Sequence, residues 1–477
     1  MSSYAPLADE LSDSLPFASR TTVGGSTPSA TFFSCVANLA NTILGSGLLG
    51  LPGAFAGAGS LTGTLLLIIA AFGSANGLRL LSLCASKVGY DEPTSFYSVA
   101  NRAHPSSTTV IDFAVAIKCF GVATSYLIIV ADVMVDVMKY FNGDGSMWSE
   151  RWIWVVVGTS AVTSLSFFKT LDALKFTSAI AIVFVVTLTV VIVIYSTGAI
   201  NPCDPMVFEE FGDTCKGPTD LTKPFKDTLQ KLSTFVFAYT CHQNIFSVCN
   251  EISNRTQSAV DRVIATSITV GLVLYLVVAW AGYETFGDNV QSDILKNYPK
   301  NALVTTMRIF VALLVIFSYP LQLDPSRRCV TTLVNKIRKG KRDDELIKTD
   351  VEGIDEEEIN NIEKESLNGV NGSHSDYDSP GEGGRSRIDD LIYMVITVTF
   401  LTCSFLLAMV TNDLGIMLAF VGATGSTAVS YILPGGIYLR IFYNEGWTWG
   451  RIAAVVQVGA GAIIMPVALY YAMGGGE

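Results

Sequence analysis

The feature that most constrains this chain is a series of eleven apolar segments, each near the roughly 20 residues that an α-helix needs to cross a membrane. They lie at about 31–57, 60–84, 109–140, 152–168, 175–197, 230–250, 263–286, 302–323, 388–410, 413–441 and 449–472. Half of the 477 residues are hydrophobic and 15% are charged, whereas about 25% of a soluble domain is charged. The sequence therefore predicts an all-α membrane protein with eleven transmembrane helices, in contact with lipid.

The net charge of −11 does not indicate a nucleic-acid or polycation partner, because much of the acidic excess lies in one polar stretch, residues 342–365. Such acidic, Ser/Gly-rich sequence buries too little apolar area to fold alone. We expect cytosolic regulators, if any, to bind residues 343–386. The predicted organisation is a disordered cytosolic tail (1–29), helices 1–8 (30–338), an acidic disordered cytosolic loop (339–387) and helices 9–11 (388–477).

Lysine and arginine concentrate in the loops that face the cytosol when the N-terminus is cytosolic, for example in "KIRKGKR" at 336–342. The loop at 198–229 then lies on the opposite side. Its two cysteines, Cys203 and Cys215, would meet an oxidising compartment, and we predict a disulfide between them. Two free thiols are the alternative. The three histidines are scattered, so no metal site is predicted.

The first apolar segment contains "NTILGSGLLGLP" (41–52), which places glycines and Pro52 where the bilayer is driest. A helix interrupted there must line a cavity or be surrounded by protein, because unpaired backbone groups are costly in hydrocarbon. The sixth segment is interrupted at "AYTCHQN" (238–244), where no helical periodicity explains the consecutive polar residues. Glycines in membrane helices often serve only close packing, which is the alternative interpretation for the first segment.

The two interruptions lie five helices apart, which is typical of transporters in which helices 1–5 and 6–10 form an inverted repeat. The interruptions then meet near the middle of the membrane. Freed amides of helix 1 favour an anion, and freed carbonyls of helix 6 accept from a cation. An α-amino acid carries both charges a few atoms apart. The pattern therefore predicts a substrate site built largely from backbone.

Seven motifs in order resemble the amino acid/auxin permease family. They are "NTILGSGLLGLP" (41–52), "AIKCFGVATSYLIIVAD" (116–132), "LDALKFTS" (171–178), "FAYTCHQNIFSVCNE" (237–251), "GYETFGD" (282–288), "SYPLQLDPSRR" (318–328) and "FVGATGSTAVSYILPG" (420–435). The sequence is most similar to fungal vacuolar amino acid transporters, with sodium-coupled neutral amino acid transporters as animal relatives. The resemblance implies a five-plus-five inverted repeat like that of the bacterial leucine transporter, an eleventh helix, and ion- or proton-coupled transport of an amino acid bound by helices 1 and 6.

The expected substrate site includes Gly45, Ser46 and Gly47, whose amides and one hydroxyl would hold the substrate carboxylate. The resemblance adds Asn41, which matches an ion-binding asparagine of the sodium-coupled relatives. From helix 6, three further residues are expected to bind substrate, with side-chain packing as the alternative for the aromatic pair. These are Phe237, Tyr239 and Thr240.

Lys118 is the most informative charge, because a lysine at bilayer depth costs about 2.5–3.5 kcal/mol on insertion scales and usually marks function. We expect Lys118 and His242 to take part in proton coupling. The alternatives are a structural His242, and a Lys118 that snorkels or pairs with Asp132 or Asp136. Sodium-coupled relatives use a hydroxyl in the middle of helix 8, whereas Ser318 lies near the inner end of this segment. That difference favours protons over sodium.

The sequence thus predicts a secondary active transporter that exports amino acids from the vacuole to the cytosol with protons. It needs no cofactor. A sodium-coupled transporter of the plasma membrane and an amino acid-sensing transceptor are the alternatives. A membrane hydrolase is not expected, since no nucleophile–base arrangement is present, and neither is a channel, since no helix carries a continuous polar stripe.

Overall fold

A computed structural model describes residues 30–89, 94–104, 108–143, 145–167, 175–202, 215–351 and 387–474, and apart from one isolated β-bridge between Ala30 and Ile252 the regular secondary structure of this part of the chain is helical. Its helices are α1 (Phe32–Ile43), α2 (Gly47–Ala58), α3 (Ser60–Val88), α4 (Phe96–Ala103), α5 (Thr108–Asn142), α6 (Arg151–Ser166), α7 (Lys175–Ser196), α8 (Phe225–Ala238), α9 (Ile245–Glu251), α10 (Gln257–Phe286), α11 (Ala302–Val351), α12 (Arg387–Val410), α13 (Leu414–Val421), α14 (Leu433–Ile441) and α15 (Trp449–Ala472). Two π-helical segments, π1 (Gly422–Ser426) and π2 (Ala428–Ile432), join α13 to α14.

Seven of the described helices, counting Leu414–Ile441 as one, are long and apolar enough to cross a membrane. The α1–α2 pair, bent by 50°, makes an eighth candidate span. Large apolar side chains such as Phe72 and Val456 are exposed on these helices, as expected for contact with lipid. The chain is therefore an integral membrane protein. The predicted segments 152–168, 175–197 and 230–250 correspond to the shorter α6, to α7 and to the interrupted α8–α9.

The helix α5 occupies the middle of the arrangement, with 78% of its most apolar window buried inside the protein. It packs along α11 and also contacts α6, α12 and α13. The helix α2 packs against α8, which brings the first and second interruptions side by side. The α1–α2 bend and the α8–α9 interruption thus lie in the protein interior, where protein groups can satisfy their freed backbone atoms.

Two features differ from the sequence-based expectations. The helix α11 continues to Val351, so the loop predicted at 339–387 begins later than its acidic composition indicated. The Lys, Arg, Glu and Leu residues that follow the span are strong helix formers, which accounts for the extension. Residues 352–386 and the tail 1–29 lie outside the described residues. The π-helical segments within the predicted span 413–441 were not anticipated.

Residues 287–301 connect α10 to α11 on the side predicted to face away from the cytosol. They lie over α2, because a Cβ on Gly53 would be 2.8 Å from the carbonyl oxygen of Gln291. They also contact α13, where the Ser292 hydroxyl donates to Asp413 at 2.5 Å. This connection therefore covers the outer end of α2, which belongs to the first interrupted span, and the outer end of α13.

Buried ion pairs fix the same connection to α5. Asp132 pairs with Arg151 at 2.9 Å and with Lys296 at 2.8 Å. Arg308, whose side chain is 1% exposed, lies 3.3 Å from Asp136. It also donates to the carbonyls of two residues of the connection, Leu295 and Tyr298. Removing one partner of such a buried pair leaves an uncompensated charge, which is strongly destabilising.

Asp293 lies within this connection and is fully buried. Its Oδ1 accepts from the Leu295 amide at 3.0 Å, while Oδ2 has no hydrogen-bond partner among the described residues. Burial raises the pKa of this carboxyl to about 6, and Lys296 opposes the shift only in part. The carboxyl is therefore neutral in the folded protein at pH values where it is ionised in the unfolded chain.

We expect Asp293→Asn to change how stability depends on pH. In the wild type, the contribution of Asp293 is fully present below pH of about 4 and is lost as the pH rises through about 6, because the folded state holds the proton more tightly. The variant has no carboxyl at this position, so it does not lose this contribution. The measurement is the melting temperature in detergent from pH 4 to pH 8. The melting temperature of the variant, relative to that of the wild type, should rise between pH of about 4 and pH of about 6. Glu284→Gln, which alters an exposed carboxylate paired with Lys216, serves as the control. A constant difference between Asp293→Asn and wild type at all pH values would contradict the prediction.

Candidate functional site

The first interruption separates α1, which ends at Ile43, from α2, which begins at Gly47. Ser46 is 2% exposed and precedes α2 without capping it through its side chain. A Cβ on Gly47 would lie 3.0 Å from Cα of Ala238, so only a residue without a side chain allows α2 to approach the end of α8 this closely. The Gly45 amide donates to the Ile43 carbonyl at 2.8 Å. Of the three amides expected to hold a carboxylate, that of Gly45 therefore already has a partner within the chain.

The second interruption separates α8, which ends at Ala238, from α9, which begins at Ile245. A 3₁₀ turn, His242–Asn244, occupies most of the gap. The Asn244 side chain donates to the Thr42 hydroxyl at 2.5 Å, which ties the gap to the last turn of α1. The Tyr239 carbonyl accepts from Ser74 of α3 at 2.9 Å. One carbonyl expected to be free for a substrate amino group is thus satisfied by the protein.

Tyr275 of α10 connects the two interruptions directly. Its hydroxyl lies 2.5 Å from the carbonyl oxygen of Ile43 and 2.8 Å from that of Ala238. These are the final carbonyls of α1 and α8, which have no partner in their own helices. The single phenolic proton is shared between them, and the Tyr275 side chain is fully buried. Tyr275 therefore caps both half-helices and holds their ends together.

The helix α5 presents hydroxyl groups to the first interruption. The hydroxyl oxygens of Ser125 and Ser46 lie 3.2 Å apart. A Cβ on Gly45 would be 3.1 Å from the Tyr126 hydroxyl. The Gln322 side chain of α11 lies beside that hydroxyl. The backbone of the first interruption is therefore surrounded by uncharged polar groups of α5 and α11.

Lys118 lies on the same helix and is 2% exposed. Its Nζ donates to Oε1 of Gln322 at 3.4 Å, so Gln322 links the ammonium to Tyr126 and the first interruption. No carboxylate of the described residues lies within ion-pair distance of Lys118. The alternative partners Asp132 and Asp136 pair instead with Arg151, Lys296 and Arg308. Lys118 is therefore a buried ammonium held by a neutral amide.

The other expected site residues lie at the two interruptions. Asn41 is half-buried in the last turn of α1. Phe237, Tyr239 and Thr240 are buried, and the Tyr239 ring packs edge-on against Tyr275 at 5.3 Å between centroids. His242 is fully buried, and neither ring nitrogen has a hydrogen-bond partner among the described residues.

Several unsatisfied polar atoms gather around the second interruption. Besides both nitrogens of His242, the Tyr239 hydroxyl, Oε1 of Gln243 and the Ser426 hydroxyl of π1 are buried without a hydrogen-bond partner among the described residues. Buried polar groups in proteins nearly always have a partner, which can be water or a ligand. The second interruption therefore concentrates buried polar groups that are able to hydrogen-bond a small polar molecule.

Cys215 is disulfide-bonded, while its expected partner, Cys203, lies outside the described residues. The pairing itself stays a prediction. The seven cysteines at 35, 84, 119, 241, 249, 329 and 403 form no disulfide among the described residues.

Sequence reasoning missed Tyr126, Tyr275, Gln322 and the π-helical segments. A search for charges and helix breakers does not detect a tyrosine or glutamine in an apolar segment. An uncharged amide at membrane depth is itself a signal, since it also needs a partner there. Applying that criterion would have identified Gln322.

Comparisons with known proteins identify the family to which this chain belongs. A family model described as "Transmembrane amino acid transporter protein" matches residues 28–473, and the chain belongs to this family.

Among its relatives, the chain is 35% identical to vacuolar amino acid transporter 5 of Schizosaccharomyces pombe, over 86% of this chain and 84% of that protein. It is 32% identical to vacuolar amino acid transporter 5 of Saccharomyces cerevisiae, over 86% and 88%. A putative sodium-coupled neutral amino acid transporter 11 of Mus musculus is 25% identical, over 94% and 86%. The resemblance seen in the sequence motifs is confirmed.

A similar fold is found in the solved structure of a Na⁺-coupled sialic acid symporter in its substrate-bound outward-open state. The TM-score is 0.53 at 10% sequence identity, with 94% of this chain and 90% of that chain covered. At this identity the likeness concerns the fold alone.

We expect Tyr275→Phe to destabilise the protein by about 1–3 kcal/mol, because the buried Ala238 carbonyl loses its donor and the Ile43 carbonyl keeps only the Gly45 amide. Tyr239→Phe is the matched control, since it removes a neighbouring hydroxyl that has no hydrogen-bond partner among the described residues. Thermal unfolding in detergent measures both. Equal melting temperatures for the two variants would show that the Tyr275 hydroxyl does not hold the half-helices together.

Proposed function

We propose that this protein is a secondary active transporter that moves amino acids, coupled to protons, from the vacuole into the cytosol. Its membership of an amino acid transporter family supports the substrate class. The vacuolar relatives at 31–35% identity support the vacuolar membrane. We further propose eleven spans, the first ten of which form two inverted repeats of five, with α1–α2 and α8–α9 as equivalent interrupted spans.

The observation that carries the proposal is the meeting of the two interruptions. The first turn of α2 points its amides toward the gap, and a helix N-terminus favours an anion such as a substrate carboxylate. The hydroxyls of Ser46 and Ser125 add donors beside it. The unsatisfied polar atoms of the second interruption lie across the gap. We infer that the substrate carboxylate binds at Ser46 and Gly47. Gly45 leaves room for the substrate because it has no side chain, while its amide donates to the Ile43 carbonyl.

Proton coupling is supported by the side chains that line a cleft between α1–α2 and α11. A cleft beside Gly45 and Ser46 is lined from α11 by the apolar Val311, Leu314 and Val315. Sodium needs several oxygen ligands, which these side chains do not supply. Ser318, the hydroxyl considered from the sequence, lies further along α11. The apolar lining therefore favours protons over sodium.

Lys118 is the group we propose to carry the coupling. A buried ammonium without a carboxylate partner is costly, so loss and gain of its proton can accompany a change in conformation. Gln322 connects it to Tyr126 at the first interruption. Binding of a substrate carboxylate near Gly45 would therefore act on the proton affinity of Lys118 through two neutral side chains. His242 is proposed to assist from the second interruption.

The test is amino acid flux in reconstituted liposomes with an imposed pH gradient or an imposed sodium gradient. We expect wild-type flux to follow the pH gradient and to ignore sodium. Lys118→Ala should retain amino acid binding but lose the stimulation by the pH gradient. Lys87→Ala makes the same chemical change at an exposed ion pair with Glu445 and should behave like wild type.

Other results would favour the alternatives. Flux that requires sodium would support a sodium-coupled transporter, as in the name of the mouse relative. Amino acid binding without flux in either gradient would support a sensor, in which residues 343–386 could act on cytosolic partners. Stimulation of Lys118→Ala equal to that of wild type would remove Lys118 from the coupling mechanism.

A further inference from the structure

Gln457 of α15 places a buried amide between two other elements, α3 and π2. Its side chain is 4% exposed, although α15 has the smallest buried share of the candidate spans among the described residues, 22%. Its Oε1 accepts from Asn76 of α3 at 2.8 Å. Its Nε2 donates to the Gly73 carbonyl of α3 at 2.8 Å and to the Ser430 carbonyl of π2 at 2.9 Å. One side chain of the eleventh predicted span thus joins α3 to π2.

The His242 ring reaches the same place from the second interruption. A Cβ on Gly77 of α3 would lie 2.5 Å from the Ser430 carbonyl oxygen, 2.7 Å from His242 Nε2 and 3.0 Å from Gln457 Nε2. Three polar atoms from π2, from the 3₁₀ turn and from α15 therefore surround one point on α3. A glycine is the residue that leaves room for all three.

The π2 segment also contacts the second interruption directly. The Ser430 hydroxyl lies 3.3 Å from the Thr240 hydroxyl. A π-helical segment shifts the usual helical hydrogen bonds and often marks a functional position. Here the Ser430 carbonyl accepts from a side chain of another span. The position of π2 relative to His242 therefore depends on the Gln457 amide.

The electrostatic surroundings of His242 are set by few groups. The charged group that acts on it is Lys118 of α5. From α3 it faces the Ser74 backbone and Gly77, and from α15 it faces Gln457, none of which carries a charge. The nearby titratable group of π2 is Tyr431, whose hydroxyl packs against Gly73. Gln457 donates to the Ser430 carbonyl, which lies beside His242 Nε2 at Gly77, without offering a charge of its own.

We propose that Gln457 is a positioning residue for transport, whose neutral amide fixes π2 and α3 around His242 and thereby sets how readily His242 takes up a proton. This inference rests on the proposed function, in which His242 takes part in proton coupling. It gives α15, which lies outside the proposed inverted repeats, a part in coupling as well as in packing.

The test replaces the amide by a carboxylate of the same shape, Gln457→Glu. A negative charge beside an imidazole favours the imidazolium, so we expect the pH at which the His242 ring titrates to rise by about one unit or more. NMR of the imidazole signals in detergent measures this titration directly. The chain has three histidines, and the signal that disappears in His242→Gln is that of His242. The pH midpoint of amino acid flux in liposomes should rise in parallel.

The matched control is Gly459→Ala on the same helix, where a Cβ would meet nothing within 4 Å. It should keep the wild-type titration and flux profile. Should Gln457→Glu fail to fold, Asn76→Asp puts a carboxylate on the partner of Gln457 and should move both midpoints in the same direction.

The possible failures are distinguishable. Lower flux at every pH with unmoved midpoints would make Gln457 a structural residue and would overturn the inference. A shifted His242 titration with an unmoved flux midpoint would overturn its link to transport. Wild-type protein without flux in a pH gradient would instead overturn the proposed function, and this inference with it.

Discussion

The site depends on how the protein satisfies backbone groups that two interrupted helices expose inside a membrane. The Tyr275 hydroxyl does this for the last carbonyls of α1 and α8 together, at 2.5 and 2.8 Å. Without this donor, the Ala238 carbonyl would be an unpaired polar group in a low-dielectric interior, which costs about 1–3 kcal/mol, and the Ile43 carbonyl would keep only the Gly45 amide. Because one hydroxyl serves both ends, the two half-helices are held at a fixed separation. The close approach of Gly47 to Ala238 is a consequence of that arrangement.

The buried charges fall into two classes that behave differently. Asp132, Arg151 and Lys296 form ion pairs at one end of α5, where they attach the 287–301 connection to the helices below it. Lys118, deeper in the same helix, has only a neutral amide as its hydrogen-bond partner among the described residues. Paired charges stabilise one conformation, whereas an unpaired ammonium is sensitive to its surroundings. This contrast is the reason for proposing Lys118, rather than the paired charges nearby, as the coupling group.

Sequence patterns predicted the helical class, the interruptions at 41–52 and 238–244 and the buried position of Lys118, because hydropathy and helix breakers are local properties. They did not predict Tyr275, Gln322 or Gln457, whose importance depends on which helices become neighbours. The π-helical segments were missed for the same reason, since the Ser430 carbonyl of π2 accepts from Gln457, which lies on another span. The end of α11 was placed too early because composition was weighed above the helix propensity of its charged residues.

The partners of the freed backbone groups also narrow the chemistry of the substrate site. A purely backbone site would use the Gly45 amide and the Tyr239 carbonyl, yet Ile43 and Ser74 occupy them. The remaining donors are the first turn of α2 and the hydroxyls of Ser46 and Ser125. The remaining unsatisfied groups are side chains of the second interruption and π1. In the proposed function, recognition of a substrate would therefore combine a helix N-terminus for its carboxylate with side-chain groups such as those of Gln243 and Ser426 for its other end.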